Sequence, residues 1–538
     1  MSPFALFESL PGETFIHLLL FLLPKEIRKC QRICRLFRNQ IKSSARLQYL
    51  LELDSLGYSA PVHPRSDLTY NEKIGFLRQA IDPSEQWLNL PYGKELGDSQ
   101  AFMVNSQFTR GVFAQVVPNF QKIREINVYR LPSRNTNTGY ESWHLSDLGV
   151  DPLQFKIDPD LDLLVLLETD IPQVSTGPSI QRIRRFHLRS LQTGLPHPLA
   201  EVPVIASIDR SDLMFPSHSF QIVGQYITLL CSDAFLVSTC AWISVWDWTT
   251  GILVTHADVP GISFAYITPT CFVVHCNRRQ WEQKTIGSLE VYTFDPSTPG
   301  RPAQHIASLH LPTTPETSCF TTSNFSFSPL SPLSYESREF TPPTLLLRVY
   351  ELSPSSCYLC LKIRAVDIER RPIANGTLLI NAGHIFKVVS GLSEREPRTN
   401  IPWENWGPST FWLNNAEVDS NMNCVAGQRA TFGRRDENND AVQLLMYDLG
   451  PSTRNRVEDP HNAMVLLQAS AGADLSYLER VFVSERGARR PQLVSLATVP
   501  HVGGPGELGT FAMDDEHVII HLQSVFRASE NKLYVYTF

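Results

Sequence analysis

The sequence predicts a mainly β protein, in which a seven- or eight-bladed β-propeller follows a small all-α N-terminal module. Three observations predict this architecture. Helical periodicity is confined to the residues before Trp87. Beyond that point, short apolar runs alternate with turn residues, and the chain holds 38 prolines and 28 glycines. A six-residue strand fragment also recurs through this second part, as it does in proteins built from stacked supersecondary units.

The N-terminal module begins with an apolar run, Phe15 to Leu23, whose only polar residue is His17. Read as one helix, the run is apolar on every side, and such a helix must be buried on every side. After Pro24 a second apolar seam follows, flanked by basic residues; its members are Ile27, Cys30, Cys34, Phe37 and Ile41. So few residues seldom build a sufficient core. The surplus apolar surface must therefore meet the rest of the chain or a partner protein.

Residues 9–38, SLPGETFIHLLLFLLPKEIRKCQRICRLFR, resemble an F-box. The resemblance lies in the Leu-Pro opening, the acidic residue two positions after the proline, the apolar helix, the Pro-Lys-Glu break and the final ICRxF pattern. Thr14 and Leu20 depart from the family, which usually has an aliphatic residue and a small polar residue at these positions. The resemblance implies that the module binds a Skp-family adaptor and, through it, a cullin-type ubiquitin ligase.

Carried over by position, the resemblance assigns a set of residues to the adaptor interface and to the small fold beneath it, without separating the two groups: Leu10, Pro11, Glu13, Ile16, Leu19, Leu22, Leu23, Ile27, Cys30, Ile33, Cys34 and Phe37. From periodicity alone, the segment also fits the N-terminal helical hairpin of a larger domain. A signal peptide fits poorly, because nothing before Phe15 is basic. The predicted organisation is an F-box-like module at 5–50, a helical linker at 51–95 and a propeller at 96–538.

Composition and charge argue against several classes of protein. The 538 residues are 43% hydrophobic and 19% charged, as in ordinary globular proteins. The net charge of −7 predicts neither nucleic-acid nor membrane binding, and the basic cluster from Lys25 to Arg46 fits a solvated helix face. The ten cysteines show no zinc spacing, and we expect Cys357 and Cys360 to be reduced core residues. We therefore expect an intracellular protein, cytoplasmic or nuclear.

The repeated fragment has apolar residues at its first, third and sixth positions, and most copies have an aromatic residue at the fourth. Thr-Gly follows at the same offset in two copies, at Thr193-Gly194 and Thr250-Gly251. The copies are INVYRL from Ile126, FHLRSL from Phe186, ISVWDW from Ile243, LEVYTF from Leu289, LRVYEL from Leu347, LLMYDL from Leu444 and LYVYTF from Leu533. A chance repeat of common strand residues and a pair of β-sandwiches are the alternatives to a propeller.

Two further resemblances concern this part of the chain. Trp246-Asp247 in ISVWDWTTG resembles the WD dipeptide of WD-repeat propellers, although the intervals between the copies are longer and less even than that repeat. The phrases HLRSLQTG and VWDWTTG resemble those of basidiomycete F-box proteins with a C-terminal propeller.

Two predictions concern the ring itself. Residues 100–131 and 532–538 are placed to share one blade, which would remove two exposed sheet edges. Residues 312–344 are rich in Ser, Thr and Pro, and we expect them to form an exposed, partly disordered loop between blades.

A search of the sequence for catalytic motifs gives no candidate residues. Gly504-Pro-Gly506-Glu-Leu-Gly509 matches G-x-G-x-x-G, but the residues after it read as a strand and turn, whereas a dinucleotide site needs a helix there. Asp514 and Asp515 are adjacent, so as strand residues they would point to opposite faces of a sheet. We expect no catalytic, metal-binding or cofactor-binding residues, and we do not expect an enzyme.

The sequence therefore predicts a substrate-recruiting adaptor of an SCF-type ubiquitin ligase. The module would bind the Skp adaptor and the propeller a protein target, and holding both together would raise their effective concentration. The alternatives are a propeller enzyme, a hydrolase or lyase with its site in the central channel, and an F-box scaffold protein that recruits nothing for modification. The sequence assigns no residues to target binding.

Overall fold

A computed structural model describes the chain in separate segments. These are residues 10–81, 94–98, 106–116, 125–170, 183–208, 216–233, 241–261, 263–276, 287–312, 318–327, 346–367, 372–391, 399–414, 423–436, 441–449, 492–499, 508–523 and 532–537.

Helices form the N-terminal part of the described chain. They are α1 Gly12–Leu19, α2 Pro24–Cys30, α3 Arg35–Ser43, α4 Ala45–Ser55 and α5 Tyr70–Ile81. The helix predicted over Phe15 to Leu23 ends early, at Leu19. Pro24 sets the latest point at which this helix could end, because the residue before a proline disfavours the helical conformation. Leu23 is extended instead, and its N–H donates to Glu26 Oε2 at 3.0 Å, which caps the start of α2.

The first helices share a small core of their own. Phe15 and Phe37 meet edge to face, with ring centroids 4.7 Å apart. The buried members of this core are Phe15, Leu19, Ile27, Phe37, Ile41 and Leu47. All of them come from α1 to α4, so this helical module packs without using a residue of the β part.

Strands make up most of the rest of the described chain. In order they are β1 Tyr58–Ser59, β2 Lys94–Asp98, β3 Ser106–Thr109, β4 Val112–Val116, β5 Ile126–Arg130, β6 Glu141–Leu145, β7 Gln154–Asp158, β8 Leu163–Asp170, β9 Ile183–Ser190, β10 Val204–Ile208, β11 Pro216–Val223, β12 Tyr226–Asp233, β13 Ala241–Asp247, β14 Leu253–Val259, β15 Ser263–Thr268, β16 Cys271–Cys276, β17 Ser288–Thr293, β18 Arg301–Pro302, β19 Gln304–His310, β20 Ser318–Phe327, β21 Glu351–Leu352, β22 Tyr358–Asp367, β23 Pro372–Asn381, β24 Thr399–Ile401, β25 Phe411–Asn414, β26 Asn423–Ala426, β27 Arg429–Asp436, β28 Ala441–Asp448, β29 Gln492–Val499, β30 Leu508–Met513, β31 His517–Gln523 and β32 Lys532–Thr537.

These strands build seven sheets of four or five strands within the described residues. We number the sheets as blades 1 to 7. Their strands, from first to fourth, are β3–β6, β7–β10, β11–β14, then β15, β16, β17 and β19, then β20, β22, β23 and β25, then β26–β29, and finally β30, β31, β32 and β2. The four strands of each blade pair antiparallel with one another, and the prediction of a mainly β propeller is confirmed.

The first strands of neighbouring blades lie side by side around the ring. Contacts join β3 to β7, β7 to β11, β15 to β20, β20 to β26, β26 to β30 and β30 back to β3. Blades 3 and 4 are joined by Gln221, whose Nε2 donates to Phe264 O at 2.9 Å. The largest apolar core spans blades 3 to 5. Each blade thus buries its faces against two neighbours, as a closed propeller does.

The repeated fragment predicted the third strand of six blades, namely β5, β9, β13, β17, β28 and β32. The copy from Leu347 is an error, because Glu351–Leu352 there forms β21, which pairs with β1 and not with a blade. The third strand of blade 5 is β23, whose sequence PIANGTLLIN lacks the pattern. The pattern specifies only a few apolar positions, which any half-buried extended segment can satisfy.

The two Thr-Gly pairs form equivalent turns between third and fourth strands. Gly194 N donates to Ser190 O, and Gly251 N donates to Asp247 O, both at 2.8 Å. Both glycines have positive φ, 71° and 75°, a conformation that other residues adopt at a cost. The predicted equivalence of these turns is therefore confirmed.

The disordered loop predicted at 312–344 is wrong in its central part. Residues 318–327 form β20, the first strand of blade 5, which pairs with β22 from Ser318↔Asp367 to Phe327↔Leu359. Ladder hydrogen bonds use backbone groups, so Ser and Thr do not prevent a strand, and Thr and Phe favour one. Residues 313–317 and 328–344 lie outside the described residues.

Strands from insertions cover the outer edges of blades 3 and 4. β18 pairs parallel with β14, the fourth strand of blade 3. β24 pairs parallel with β19, the fourth strand of blade 4, and comes from an insertion in blade 5 that also contains α6 Ala382–Ser390 and α7 Trp403–Trp406. Covering an edge in this way removes a template for unwanted strand pairing.

The ring is closed by strands from distant parts of the chain. β2, Lys94–Asp98, pairs antiparallel with β32, Lys532–Thr537, in blade 7. The shared blade predicted from the sequence is confirmed, but the partner strand precedes the predicted range of 100–131. Strands β3 and β4, which lie inside that range, belong to blade 1 instead.

A buried ion pair joins blade 7 to blade 1 at this closure. His517 Nδ1 lies 2.9 Å from Asp514 Oδ1, and His517 Nε2 lies 2.8 Å from Pro132 O. Asp514 Oδ2 accepts a hydrogen bond from Gly111 N at 2.5 Å. Both ring nitrogens face acceptors, so both must carry protons and the imidazole is cationic. Burial alone would lower the pKa of His517, but the Asp514 carboxylate and the Pro132 carbonyl raise it to about 9.

We expect the ring to lose stability as the pH rises through 9. The pKa of His517 in the folded chain, about 9, lies above that of an unfolded histidine, about 6.5. Its contribution, about 3 kcal/mol by linkage, is therefore fully present below about pH 6.5 and is lost as the pH rises through about 9. Thermal unfolding of the wild type and of His517→Gln across this range should show a stability difference that shrinks with pH. A difference that stays constant contradicts the prediction.

Gly376 in β23 is predicted to tolerate no side chain. A Cβ atom built there would lie 1.8 Å from the ring of Trp412, which is buried in β25. Gly376→Ala should lower the free energy of unfolding by roughly 1–3 kcal/mol, because the core must be overpacked. Gly75→Ala is the matched control: nothing lies within 4 Å of a Cβ in α5 there, so better helix propensity should stabilise the protein by about 0.5–1 kcal/mol. Equal effects of the two changes in denaturant unfolding would contradict this packing.

Residues 346–352, here called the junction segment, attach the helices to the ring. Val349 and Tyr350 share a core with Tyr49, Leu53, Ile74 and Leu77 of α4 and α5. β21 in the segment pairs with β1, and Arg65 N donates to Arg348 O at 2.9 Å. The helical module is thus fixed to the ring through apolar packing and backbone hydrogen bonds together.

The other side of the junction segment is bonded to the turns of blades 1 and 2. Asn135 Oδ1 accepts from Val349 N at 2.8 Å, and Asn135 Nδ2 donates to Tyr350 O at 3.1 Å. Arg348 forms two hydrogen bonds with the buried Asp160, which Arg110 also contacts. These turns connect first to second strands and third to fourth strands, so they lie at one end of the ring, which we call the module face.

Candidate functional site

The helical module exposes an apolar loop between α1 and α2. Together with Leu18 in the last turn of α1, it forms a surface that we call the apolar loop. The exposed side chains of the apolar loop are Leu18, Phe21, Leu22 and Leu23, whose exposed fractions are 48%, 78%, 37% and 56%. The loop exists because α1 ends at Leu19. Phe15 and Leu19 are buried in the core, and Ile16 and Leu20 pack against it, which leaves the other apolar members of the run exposed. Large apolar side chains clustered on a surface in this way mark an interaction site.

The structure divides the twelve residues implied by the F-box resemblance into three groups. Leu19, Ile27 and Phe37 are buried in the module's core, so they serve the fold. Half-buried at its rim are Leu10, Ile16, Cys30 and Cys34. Open to solvent are Pro11, Glu13, Leu22, Leu23 and Ile33. Burial raises the pKa of the Cys30 thiol, with a smaller contribution from the nearby Glu26, so this thiol stays neutral.

The sequence interpretation missed Leu18 and Phe21 as surface residues. Phe21 is the most exposed large apolar side chain of the described residues, and its ring contacts that of His17 edge to face, with centroids 5.5 Å apart. Spacing gives no signal that would have found them, because on a helix Leu18 and Leu22 fall on the same face as Phe15, which is buried. Only the direction of α2, which carries Ile27 into the core, decides which face is turned outward.

Basic side chains surround this surface. The exposed ones on α2, α3 and the turns before them are Lys25, Lys29, Arg32, Arg35, Arg38 and Lys42. Arg28 differs, because it pairs with Asp54 and donates to Leu51 O at 3.0 Å. The basic cluster is therefore solvated, as predicted, and it gives the apolar loop a positive border. A partner with an acidic surface and an apolar groove would complement both features.

One group of side chains in blade 4 contains the residue types of a catalytic triad. Glu290 Oε2 lies 2.6 Å from His305 Nε2 and accepts a hydrogen bond from Ser308 Oγ at 2.6 Å, and Ser308 Oγ lies 3.4 Å from the same His305 nitrogen. A triad needs the carboxylate and the hydroxyl on different nitrogens of the imidazole. Both groups share Nε2 here, and the hydroxyl donates to the carboxylate, so this geometry does not activate Ser308.

The described residues contain neither a metal-binding cluster nor a helix that could cross a membrane. They contain no group of three or more His, Cys, Asp or Glu residues arranged to hold a metal ion. Among the helices of the described chain, none has the length and apolarity needed to cross a membrane.

No protein-family model matches the chain, and neither does any curated protein. Similar solved structures include the β-propeller domain of the Trilobed protease from Pyrococcus furiosus, with 8% identity, a TM-score of 0.37, and coverage of 83% of this chain and 96% of that one. Kuenenia stuttgartiensis hydrazine synthase has 12% identity and a TM-score of 0.36, covering 81% and 95%.

The WD40 domain of SCAP from fission yeast is also similar, with 8% identity, a TM-score of 0.33, and coverage of 81% of this chain and 96% of that one. Likenesses this weak carry no argument about function. The pairing of the strands alone identifies the propeller fold.

Proposed function

We propose that this chain is an F-box-type adaptor that recruits a protein target to an SCF-type ubiquitin ligase. The helical module would bind a Skp-family adaptor, and through it a cullin, and the seven blades would form the ring that binds the target. The chain would perform no bond chemistry of its own, and it would act in the cytoplasm or nucleus, where these partners work.

The observation that supports this proposal is the apolar loop of Leu18, Phe21, Leu22 and Leu23. It lies within the segment that resembles an F-box, and neither the ring nor the module's own core covers it. A chain that used the module only as the helical hairpin of a larger domain would have turned this surface toward the ring. Burying one such side chain contributes about 1.5–3 kcal/mol, so four form a substantial binding surface.

Binding of the full-length chain to a purified Skp adaptor tests the proposal. The whole chain is needed, because α4 and α5 pack on the junction segment of the ring and residues 1–60 would lose that support. We expect a one-to-one complex in isothermal titration calorimetry or size-exclusion chromatography. A chain that is folded by circular dichroism but gives no complex at micromolar concentration would refute the adaptor role.

A further inference from the structure

A cavity of about 90 Å³ lies at the module face, between the ring and the junction segment. Its walls come from the first turns of blades 1, 6 and 7, from the loop between β5 and β6, and from Arg348 to Leu352. A space of about 10–15 Å³ measured in this way holds one water molecule, so the cavity has room for a group of several heavy atoms.

The cations in the wall are engaged with carboxylates that lie outside it. Arg348 and Arg110 both bond to Asp160, and Arg130 pairs with Glu141 at 2.6 Å. Arg348 Nη1 reaches Asp160 Oδ2 at 3.0 Å, and its other terminal nitrogen bonds to Asp160 Oδ1, so the fork of the guanidinium is filled. Arg348 therefore has no free fork to offer to the acidic groups of the wall, whereas Arg130 keeps one buried donor, Nε, without a hydrogen-bond partner.

Two of the acidic wall residues have partners of their own. Asp514 pairs with His517 and accepts from Gly111 N. Glu516 accepts from the backbone N–H groups of Arg134 and Asn135, both at 2.9 Å, and from the hydroxyl of Ser133. The charge of Asp514 is thus stabilised within the protein, and both carboxyl oxygens of Glu516 already accept hydrogen bonds, although burial raises the pKa of Glu516.

Two other carboxyl groups in the wall are only partly satisfied: Glu351 accepts a backbone hydrogen bond from Val62, and the charge of Arg348 acts on both Glu351 and Asp515. Glu351 is 7% exposed, and its Oε1 has no hydrogen-bond partner. Asp515 follows Asp514 in the turn between β30 and β31, and it is half-buried there. A buried acceptor without a donor is costly, so Glu351 Oε1 leaves this cavity with an unmet need for a hydrogen-bond donor.

The pKa values of Glu351 and Asp515 are both raised, as expected for carboxyl groups whose charge is not fully compensated. Burial raises the pKa of Glu351, although Arg348 opposes the change. Burial, together with the carboxylates of Asp514 and Glu516, raises the pKa of Asp515 to about 7. At neutral pH the carboxyl group of Asp515 is therefore partly protonated, and a cationic ligand would replace this proton.

We propose that this cavity binds an alkylammonium group, supplied by a free amine or by a lysine side chain, with Asp515 as the main acceptor and Glu351 as the second. An ammonium carries three donors and needs no fixed coordination shell. A metal ion fits less well, because no three His, Cys, Asp or Glu residues converge among those described. Leu346, Leu352 and Met513 in the wall supply apolar surface for the alkyl stem.

Thermal unfolding of the full-length chain with butylammonium chloride tests the proposal. At about pH 8, where Asp515 is mostly ionised, we expect a saturable rise in Tm that equal concentrations of sodium chloride do not give. Asp515→Asn should weaken the binding at least tenfold, and Glu351→Gln is a second variant should the first fail to fold. Glu404→Gln, at an exposed position on α7, is the matched control and should bind as the wild type does.

The outcomes separate clearly. The proposal is overturned if the wild type shows no saturable shift in Tm, or if Asp515→Asn shows an equal shift. It is also overturned if Tm responds to pH alone, because the cavity then holds only protons.

Nα-acetyl-lysine amide and a short lysine peptide distinguish a lysine side chain from a free amine as the source of the alkylammonium group. Tighter binding of the peptide than of butylammonium identifies a protein side chain as the ligand, and tighter binding of butylammonium identifies a free amine. The result is independent of Skp binding, because no residue of the apolar loop lines the cavity.

Discussion

Replacing Phe21 with aspartate is expected to weaken binding to the Skp adaptor strongly while leaving the fold intact. Phe21 is 78% exposed, so its loss removes little from the core of the module. Aromatic side chains that become buried at an interface commonly contribute 2–4 kcal/mol each to binding. The affinity should therefore fall by roughly 30- to 700-fold, since about 1.4 kcal/mol corresponds to a factor of ten. Isothermal titration of the variant against the adaptor measures this change.

The control for this experiment is another exposed apolar side chain, one that lies on the ring. Leu195→Asp places the same charge at a 64% exposed position on the ring, and it should bind the adaptor as the wild type does. Ile27→Asp is a poor test, because Ile27 is fully buried and a charge there would unfold the module. If Phe21→Asp and Leu23→Asp both bind normally, the apolar loop is not the adaptor site and the proposed function loses its main support.

Replacing Asp160 with asparagine is expected to loosen the attachment of the helices to the ring. The side chain of Asp160 is 3% exposed and neutralises both Arg348 and Arg110. Removing one partner from a buried ion pair leaves uncompensated charge and costs about 3–5 kcal/mol. Denaturant unfolding should show this loss, and limited proteolysis should release the helical module from the variant before it cuts the ring. Asp67→Asn, whose side chain is 54% exposed beside Arg65, should change little.

The same carboxylate gives an acid dependence of opposite sign to that of His517. Burial alone would raise the pKa of Asp160, but Arg348 and Arg110 outweigh it and hold the pKa at about 2. An unfolded aspartate titrates near about 3.9, so the stabilisation is complete above that pH and is lost as the pH falls toward about 2. In acid unfolding, the difference between the wild type and Asp160→Asn should therefore narrow below about pH 4. A constant difference down to pH 2 would show that Asp160 does not act through its charge.

The sequence predicted those parts of the fold that are determined by local pattern. The strand fragments have apolar residues in register with the blade faces, so periodicity alone located six third strands correctly, at Ile126, Phe186, Ile243, Leu289, Leu444 and Leu533. The fragment at Leu347 satisfied the same pattern in a segment that crosses the module face. What distinguishes it is pairing with β1, a contact across nearly 300 residues, which local spacing does not encode.

The candidate site was predictable in composition but not in geometry. The sequence located the surplus apolar surface between Phe15 and Leu23, and the structure shows part of it exposed, as the adaptor interpretation requires. It did not separate Leu19 and Ile27, which pack inward, from Phe21 and Leu23, which face solvent. That separation depends on where α1 ends and on the direction that Pro24 gives to α2, both of which are tertiary outcomes. The cavity near Asp515 was also unpredictable, because its walls come from five distant segments.

The pairing of β2 with β32 has a consequence for how the protein is made. Roughly 430 residues separate the two strands, which the ribosome adds in about 20–90 s at 5–20 residues per second. Throughout that interval the nascent chain exposes β2, which has no strand to pair with. We expect a holding chaperone to shield the early blades until β32 has emerged from the ribosome, because only then can β2 pair and the ring close.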